Sequence, residues 1–425
     1  MNIPITIIGA GPAGLLLAHY LLRRGHYQIE MYESRPDPRL STNDNQRTFP
    51  LALQSRGRKA LAKIDNLEEK IGQKVTFCSG TFIYQKNGKS RLIPRNNPIL
   101  TIDRSVLSLV LLETLDKDDN QTRLKINFNH RCTQINPQEK TLSFQTDNNQ
   151  EIKVNYNILI GADGANSVVR DCFQENPSFN CQKNHVPDVY KSIYLPLNVP
   201  EKSLFLAKDK FHSISLTKNV RMLLVPQGDN NLNGVIIFKQ ENSPFENIEN
   251  PSELLKFFQK NGGKIGQLID IKETESLTKR PISQVITIQC NQFHQGDSLL
   301  ILGDAAHAVS PSLGQGCNSA LEDAMIIDQL LDKYQDNWSE VLPAFTKQRV
   351  PDADALQELS NYTFPRKKSL VFEYFLRLRI SRLLRQWFPD NFSPPIFELV
   401  AETNLSYCEI LQRHQGWINK VKQLQ

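Results

Sequence analysis

The chain has 425 residues, 40% of them hydrophobic and 22% charged, which is ordinary for a soluble globular protein and long enough for two or three domains around a large core. Its formal charge of +5 is concentrated between Arg366 and Arg385, where Arg366, Lys367, Lys368, Arg377, Arg379, Arg382 and Arg385 face one acid, Glu373; the near-neutral remainder excludes a general nucleic-acid binder with a broad basic surface. The seven cysteines (78, 132, 172, 181, 290, 317 and 408) contain no CxxC pair and no apolar run is long enough to span a bilayer, so a disulfide framework, a zinc site and a transmembrane segment are excluded and a reducing, cytoplasmic setting is expected.

From the N-terminus, IPITII (3 to 8) predicts a buried strand; the glycine spacing after it marks a folded element, and nothing before Ile3 reads as a leader. The run enters Gly9-Ala10-Gly11-Pro12-Ala13-Gly14 and a helix, LLLAHYLLRRG, closed by Gly25. Gln28 to Tyr32 predicts a second strand that ends in Glu33, 19 residues after Gly14. In such a β-α-β unit Gly9 makes the tight turn and Gly11 lets backbone N–H groups reach a pyrophosphate at the helix start. Gly14 permits close helix-to-strand packing, and Glu33 can bind a ribose diol. The unit predicts dinucleotide binding.

Residues 35 to 50, rich in Pro, Asp, Asn and Arg, read as a surface loop, and LALQSRGRKALAKI (51 to 64) reads as a helix. Val75 to Tyr84 and Ser90 to Ile93 predict two strands around a hairpin turn at Lys86-Asn87-Gly88, and Arg104 opens a helix. Lys125 to Phe128, Thr141 to Phe144 and Glu151 to Val154 predict a further small sheet. NILIGADGANSVVR then gives a buried strand, Asn157 to Ile160, and a turn through Asp163 into a short helix carrying Ser167 and Arg170. From about Val186 to Ile288 strand-like runs recur, interrupted by the helical SELLKFFQKNG, which predicts a mostly antiparallel sheet inserted into the dinucleotide domain.

Ser298 to Leu302 predicts another buried strand, closed by Gly303 and Asp304, and Gly314-Gln315-Gly316 precedes a helix on which Ala320, Leu321, Ala324, Ile327 and Leu331 share one face. A carboxylate at a strand end accepts hydrogen bonds from hydroxyls. A glycine-flanked helix start attracts an anionic group that can approach closely. Together they suit a flavin, with its polyol chain and a reduced ring that carries negative charge. Beyond Leu331 the chain reads as helical and aromatic to its end, and nothing in it suggests a metal site.

The three stretches GAGPAG with Glu33, GADGANSVVR and LILGDAAHAVSPSLGQGCNSALED resemble, in order and separation, the motifs of class A FAD-dependent aromatic monooxygenases. Within that class YESRPDPR, LALQSRGRKAL, FNHR and PDADALQELSNY are most similar to the kynurenine 3-monooxygenase family. The resemblance implies an α/β fold: a Rossmann-like FAD-binding domain, p-hydroxybenzoate hydroxylase-like (1–75, 100–180 and 289–340), with an inserted, mostly antiparallel substrate domain (76–99 and 181–288) and a helical C-terminal region (341–425). It implies FAD held by Gly9, Gly11, Ala13, Gly14 and Glu33 at the ADP half, by Arg104 and Asp304 along the flavin chain, and by the backbone of Pro311, Gly314, Gln315, Gly316, Cys317 and Asn318 at the ring. Asp163 falls in the stretch shared between FAD and NAD(P)H. His307, inside GDAAHA, is expected to be a packed histidine and not a catalytic base.

The implied chemistry uses NADPH or NADH to reduce the flavin; O2 adds at C4a and the hydroperoxide gives an oxygen to an electron-rich ring, with no certain catalytic side chain. In kynurenine hydroxylases an arginine, a tyrosine, an asparagine and a second tyrosine hold the substrate carboxylate, and Thr81, Arg95, Thr363 and Ile396 stand at those positions here, with Phe397 one step from the last. Threonine cannot replace a bidentate arginine, while Arg95, Arg366 and Lys367 place positive charge near the same predicted site. The expected substrate is therefore a different small aromatic compound, larger and less polar than kynurenine, or one with a differently placed acid group. The rivals are a flavin reductase of the same fold, a true kynurenine 3-monooxygenase, a halogenase and a non-enzymatic FAD binder; Trp338, Trp387 and Trp417 are isolated, unlike the halogenase signature. Finally, Leu376, Ile380, Leu383 and Trp387 share a helical face flanked by Arg379, Arg382 and Arg385. Such a helix is expected to pack on the substrate domain, the alternative being a weak peripheral membrane contact.

Overall fold

The computed structural model of the chain describes residues 2–40, 50–85, 88–117, 122–228, 230–245, 248, 250–388 and 393–424. Strand Ile3–Ile8 lies inside a six-stranded sheet of order His294–Gln295, Leu299–Ile301, Ile158–Gly161, Ile3–Ile8, Tyr27–Tyr32, Leu124–Asn127. All neighbours are parallel except the first two. Parallel strands covered on both faces read as continuous apolar runs, as Ile3–Ile8, Ile158–Gly161 and Leu299–Ile301 do, whereas Tyr27–Tyr32 and Leu124–Asn127 towards one edge alternate. Ile5, Ile7, Leu159, Ile160, Leu300 and Ile301 are accordingly at most 1% exposed. Helix Pro12–Arg23 returns beside this sheet and buries Leu15, Leu16, Leu17 and Leu21 in the same core, each contributing about 1.5–3 kcal/mol of transfer free energy.

The run around Lys125 belongs to this parallel sheet and not to the small one: Leu124 and Ile126 stand opposite Ile29 and Met31. The small sheet is His130–Asn136, Thr141–Thr146 and Glu151–Asn155. LKIN is a half-buried edge strand, and its four residues carry no mark of which sheet they join.

The second sheet has eight strands in the order Ser283–Cys290, Cys181–Pro196, Asn231–Lys239, Val220–Pro226, Phe211–Ser215, Thr76–Tyr84, Ser90–Asp103, Pro50–Leu53. It is antiparallel apart from the pair Phe211–Ser215 with Thr76–Tyr84. Helices Pro251–Asn261 and Ile271–Lys279 seal a core of its own, where Leu254, Phe258 and Leu277 join Ile193, Met222 and Ile236. Strand Ser90–Asp103 runs ten residues past Ile93, and Pro50–Leu53 pairs with its end, so the expected helix over 51–64 shrinks to Ser55–Leu61. The break is fixed at Gln54, whose backbone N–H donates to Asn318 Oδ1 at 2.8 Å.

Of the expected loop over 35–50, residues 41–49 lie outside the described residues, as do Lys86 and Asn87 of the hairpin turn. The flanking Gln85 N–H still donates to Lys89 O at 2.8 Å. The expected boundary at 340/341 falls in the first turn of helix Trp338–Tyr362, which straddles two cores. Val341, Leu342 and Phe345 pack in the first, while Ala355, Leu356 and Leu359 pack with Val400, Tyr407 and Ile410 in a third. Helix Lys368–Trp387 buries only Leu370 and leaves Phe372, Leu376, Ile380, Leu383 and Trp387 exposed, so this face does not pack on the substrate domain. Among the described residues no helix is long and apolar enough to cross a membrane.

Candidate active site

The glycine turn after Ile3–Ile8 has the geometry that a nucleotide needs. Gly9 has φ +102°, and a Cβ there would meet Ala162 O at 2.4 Å, so no other residue fits. Gly11 is the opposite case, because a Cβ built on it would meet only Arg104 Nη2, at 3.9 Å. Gly11 also stands at the start of Pro12–Arg23, whose first turn has neither a side-chain cap nor an acid, and Ala13 lies in that turn. Open space, free N–H groups and a guanidinium that makes no ion pair among the described residues converge there, as an anionic pyrophosphate requires. Gly14 packs so closely on the turn that a Cβ would lie 2.2 Å from Gly9 O.

Glu33 ends Tyr27–Tyr32 and accepts the Ala10 N–H at 2.9 Å and the Arg35 N–H at 3.0 Å. Burial opposes its ionisation, but Arg35 and these N–H donors hold the carboxyl below its usual range, so it is an anion aimed at the turn. Asp163 Oδ2 accepts the Val168 N–H at 2.8 Å, while its Oδ1 is buried and has no hydrogen-bond partner among the described residues. Burial pushes this carboxyl up. A buried acceptor oxygen beside Gly9 with no hydrogen-bond partner among the described residues fits a ligand donor at this spot.

Asp304 opens the turn after Leu299–Ile301, and a Cβ built on Gly316 would lie 3.9 Å from its Oδ1. Gly316–Lys333 again starts with no side-chain cap and no acid in its first turn, just after Gly314 at φ +66°. Arg104, Asp304 and Cys317 lie close enough for both charges to act on the Cys317 thiol, which burial pushes up to about 12. The chain thus brings together Gly11, Arg104, Asp304, Gly316 and Cys317, in line with a ligand that carries a pyrophosphate, a polyol and an anionic ring. These residues fit FAD.

Behind this surface lies a polar lattice with few marks in the sequence. Gln315, fully buried, donates from Nε2 to Gln54 Oε1 and accepts the Tyr407 hydroxyl at 2.6 Å. Asn318 Nδ2 donates to Ala52 O at 2.7 Å and Gly314 O at 2.9 Å. Pro311 opens a single 3-10 turn, and Ser312 within it donates to Ser360 O at 2.6 Å. Deeper still, Arg349 Nε reaches Asp323 Oδ1 at 2.7 Å, and its Nη1 reaches Asp352 at 2.9 Å and Glu322 at 3.3 Å. Arg56 Nη1 reaches Glu322 at 3.1 Å, and its guanidinium lies 3.8 Å from the Tyr407 ring centroid. His307 Nε2 sits 2.6 Å from Asp323 Oδ2, which also accepts the Gly303 N–H at 2.8 Å. At 3% exposure His307 is a structural residue that ties the Asp304 turn to Gly316–Lys333. In the sequence Arg56, Arg349 and Asp352 look like the solvated charges of ordinary helices, so this lattice carries no local signal.

A cavity of about 1420 Å³ lies between Ser90–Asp103, Ser55–Leu61 and the C-terminal helices. Gln54 lines its wall and joins it to the Gln315 lattice. Of the residues expected at the substrate, only Arg95 lines it. Half-buried, Arg95 lies 4.8 Å from the Phe397 ring centroid and 6.0 Å from that of Phe211, and makes no hydrogen bond or ion pair among the described residues. Burial disfavours its charge. Ile396 is buried in the third core, and Phe397 takes the wall position. Thr363 is fully buried, its carbonyl accepting from Trp417 Nε1 at 3.2 Å. Thr81 pairs with Ile93 and Phe211 away from the cavity wall, and Arg366 and Lys367 are exposed and outside it. Among the described residues no group of side chains could hold a metal ion.

Residues 2–360 match the family model described as FAD binding domain. The chain is 30% identical over 424 residues to kynurenine 3-monooxygenase of Sus scrofa, covering 98% of this chain and 87% of that protein. It is 32% identical over 415 residues to kynurenine 3-monooxygenase of Legionella pneumophila (strain Corby), covering 96% and 90%. The tetrameric form of 2-methyl-3-hydroxypyridine-5-carboxylic acid oxygenase shares the fold, with a TM-score of 0.69 at 18% identity over 94% of this chain and 96% of that one.

Proposed function

The chain belongs to the FAD binding domain family of monooxygenases, and on that premise we propose that it hydroxylates an aromatic acid other than kynurenine. It is an NAD(P)H- and FAD-dependent monooxygenase related to the kynurenine 3-monooxygenases. Gly9, Gly11, Gly14 and Glu33 would hold the nucleotide half of FAD, Arg104 and Asp304 its chain, and the turn from Pro311 to Asn318 its ring. Bound FAD, reduced by NAD(P)H, supplies the activation of O2 that side chains cannot. The uncapped start of Gly316–Lys333 stabilises negative charge. Gln315 and Asn318, each satisfied on several sides, hold that start in one geometry. Leu53, Ile99, Leu378 and Phe397 give the cavity an apolar wall.

The observation that carries the substrate reading is Arg95. Other cavity cations are neutralised, Arg58 by Glu68 at 3.3 Å and Arg385 by Glu398 at 2.7 Å, or exposed, as are Lys59 and Arg382. A half-buried guanidinium between two aromatic rings, with no hydrogen bond or ion pair among the described residues and with Glu402 acting on it only through its charge, supports recognition of a substrate acid group. A volume above the usual ligand-pocket range of roughly 300–1,000 Å³ supports a ring system larger than kynurenine.

Replacing Arg95 by methionine is expected to raise KM for an aromatic acid roughly 10- to 100-fold, as the loss of one charged hydrogen bond worth about 1.5–3 kcal/mol implies, with kcat little changed. The methyl ester of the same acid should show no such loss. Equal KM values for wild type and variant with the acid would remove Arg95 from the substrate site. A screen of aromatic acids, indoles, phenols and quinones for accelerated NAD(P)H oxidation, with product mass read alongside, identifies the acid.

The exposed stripe Phe372, Phe375, Leu376, Ile380, Leu383 and Trp387, with Arg379 among its residues, supports a weak contact with an anionic lipid surface. Co-sedimentation with anionic vesicles at low salt, abolished at high salt, is the expected result. Absence of binding at low salt removes the contact.

A further inference from the structure

Cys181 opens strand Cys181–Pro196 and Cys290 closes strand Ser283–Cys290, the legs on which the chain leaves the parallel sheet for the second sheet and returns from it. The two stand directly opposite each other in an antiparallel ladder. Directly opposed antiparallel residues have Cα atoms about 4.5–5.5 Å apart, inside the range of roughly 4.4–6.8 Å that a disulfide spans. The Cys290 thiol already donates to Cys181 Sγ at 3.1 Å. The neck is braced just beyond the pair, where Asn180 N–H donates to Asn291 Oδ1 at 2.8 Å and Asn291 N–H to Asn180 O at 3.0 Å. The backbone there is held in register with or without an S–S bond.

The two thiols differ in access and charge. Cys290 is 2% exposed, whereas Cys181 is half-buried and open to a small reagent. The hydrogen bond from Cys290 holds the Cys181 thiol below its usual range against its partial burial, and the Arg170 guanidinium acts in the same direction; Asp171 opposes it and Lys183 assists. Cys290 is pushed the other way by the same bond and by burial. A thiolate that is accessible, beside an arginine and touching a second thiol has the makings of an attacking sulfur with its resolving partner.

We propose that Cys181 and Cys290 form a peroxide-sensitive dithiol that closes to a disulfide across the neck between the two sheets. The Cys181 thiolate attacks hydrogen peroxide: an S–O bond forms, the O–O bond breaks, and hydroxide leaves and takes up a proton as water. The Cys290 sulfur, losing its proton, then attacks the sulfenic sulfur, so the S–S bond forms, the S–O bond breaks and a second water leaves. Two thiols lose two electrons and two protons, and one peroxide becomes two waters. Peroxide is what reduced flavin and O2 release when no substrate takes the oxygen, but the site does not depend on that source.

The test treats the flavin-loaded full chain with hydrogen peroxide, then titrates thiols after unfolding and maps disulfide-linked peptides. The titre is expected to fall from the seven cysteines of the chain by two, with one linkage joining the peptides that contain Cys181 and Cys290 and full recovery with dithiothreitol. In Cys290→Ser, Cys181 should stop at the sulfenic acid and be trapped by dimedone; in Cys181→Ser, Cys290 should stay reduced. The proposal is overturned if the wild-type titre stays at seven, if the linkage joins other cysteines, or if Cys290 oxidises as fast in Cys181→Ser as in the wild type. The peptide map of the wild type decides the matter even where a variant fails to fold.

Discussion

Replacing Arg349 by methionine is expected to destabilise the protein by about 3–5 kcal/mol and to empty the flavin site, because it leaves an uncompensated cluster of buried acids. Arg349 is 1% exposed and contacts Glu322, Asp323 and Asp352; without it, among the described residues, Arg56 still reaches Glu322 and His307 still contacts Asp323, but Asp352 loses its ion pair. Glu322 and Asp323 belong to Gly316–Lys333, and Asp323 also holds Gly303, so the loss reaches both elements that would carry the flavin chain and ring. The change also has a pH signature. Asp323 is buried, yet His307 and Arg349 hold its carboxyl below the usual range. A depressed carboxyl contributes stability that is complete above the unfolded value, here 3.8, and is lost as the pH falls through the folded value. The stability gap between variant and wild type should therefore be widest near neutral pH and narrow on acidification, because protonation removes the wild type's contribution and relieves the variant's unpaired acids. Adding Asp323→Asn to Arg349→Met should cost much less than the sum of the two single changes. Thermal and acid unfolding followed by circular dichroism measure all of this, and a melting temperature unchanged by Arg349→Met would show that the network does not hold the site.

Replacing Gly11 by aspartate should have the reverse profile, an intact fold without flavin. A Cβ built on Gly11 meets nothing closer than Arg104 Nη2 at 3.9 Å, so the backbone there accepts a side chain. A carboxylate there lies at the uncapped start of Pro12–Arg23, where the pyrophosphate would bind. Two like charges about 4 Å apart repel by about 4 kcal/mol at an effective dielectric of 20, roughly a thousandfold in affinity. The purified variant should be colourless, with the melting temperature of wild-type protein stripped of flavin, whereas the wild type should carry one FAD per chain. Flavin retained at the wild-type level would displace the pyrophosphate from this turn.

The contrast between these two residues shows what the sequence reveals. Gly11 is legible because the demands on it are local: strand, turn, helix and terminal acid follow within 33 residues, and each leaves its own pattern. The continuous apolar runs of the parallel strands are legible for the same reason. Arg349 is not, since its partners come from another helix and its own next turn, and one arginine in an amphipathic helix looks like a solvated charge. Gln54 is hidden similarly: a hydrogen bond to Asn318, 264 residues away, ends a strand that helical periodicity alone extends as helix. Leu124–Asn127 is too short for its pattern to choose between two sheets. At the cavity, the step from Ile396 to Phe397 is about 100° of helix rotation, enough to exchange a core residue for a wall residue. The cavity wall draws on residues from Leu53 to Asn404, and no local pattern marks such a surface.

The most direct test of the substrate reading is to give the flavin-loaded enzyme NADPH, 18O2 and L-kynurenine beside a panel of larger aromatic acids, reading NADPH consumption and product mass together. One or more acids of the panel is expected to gain a single labelled oxygen in step with NADPH oxidation, the gain is expected to weaken in Arg95→Met, and L-kynurenine is expected to be returned unchanged. Efficient conversion of L-kynurenine to a product heavier by one labelled oxygen, undiminished in Arg95→Met, would contradict this reading and place carboxylate recognition on residues other than Arg95.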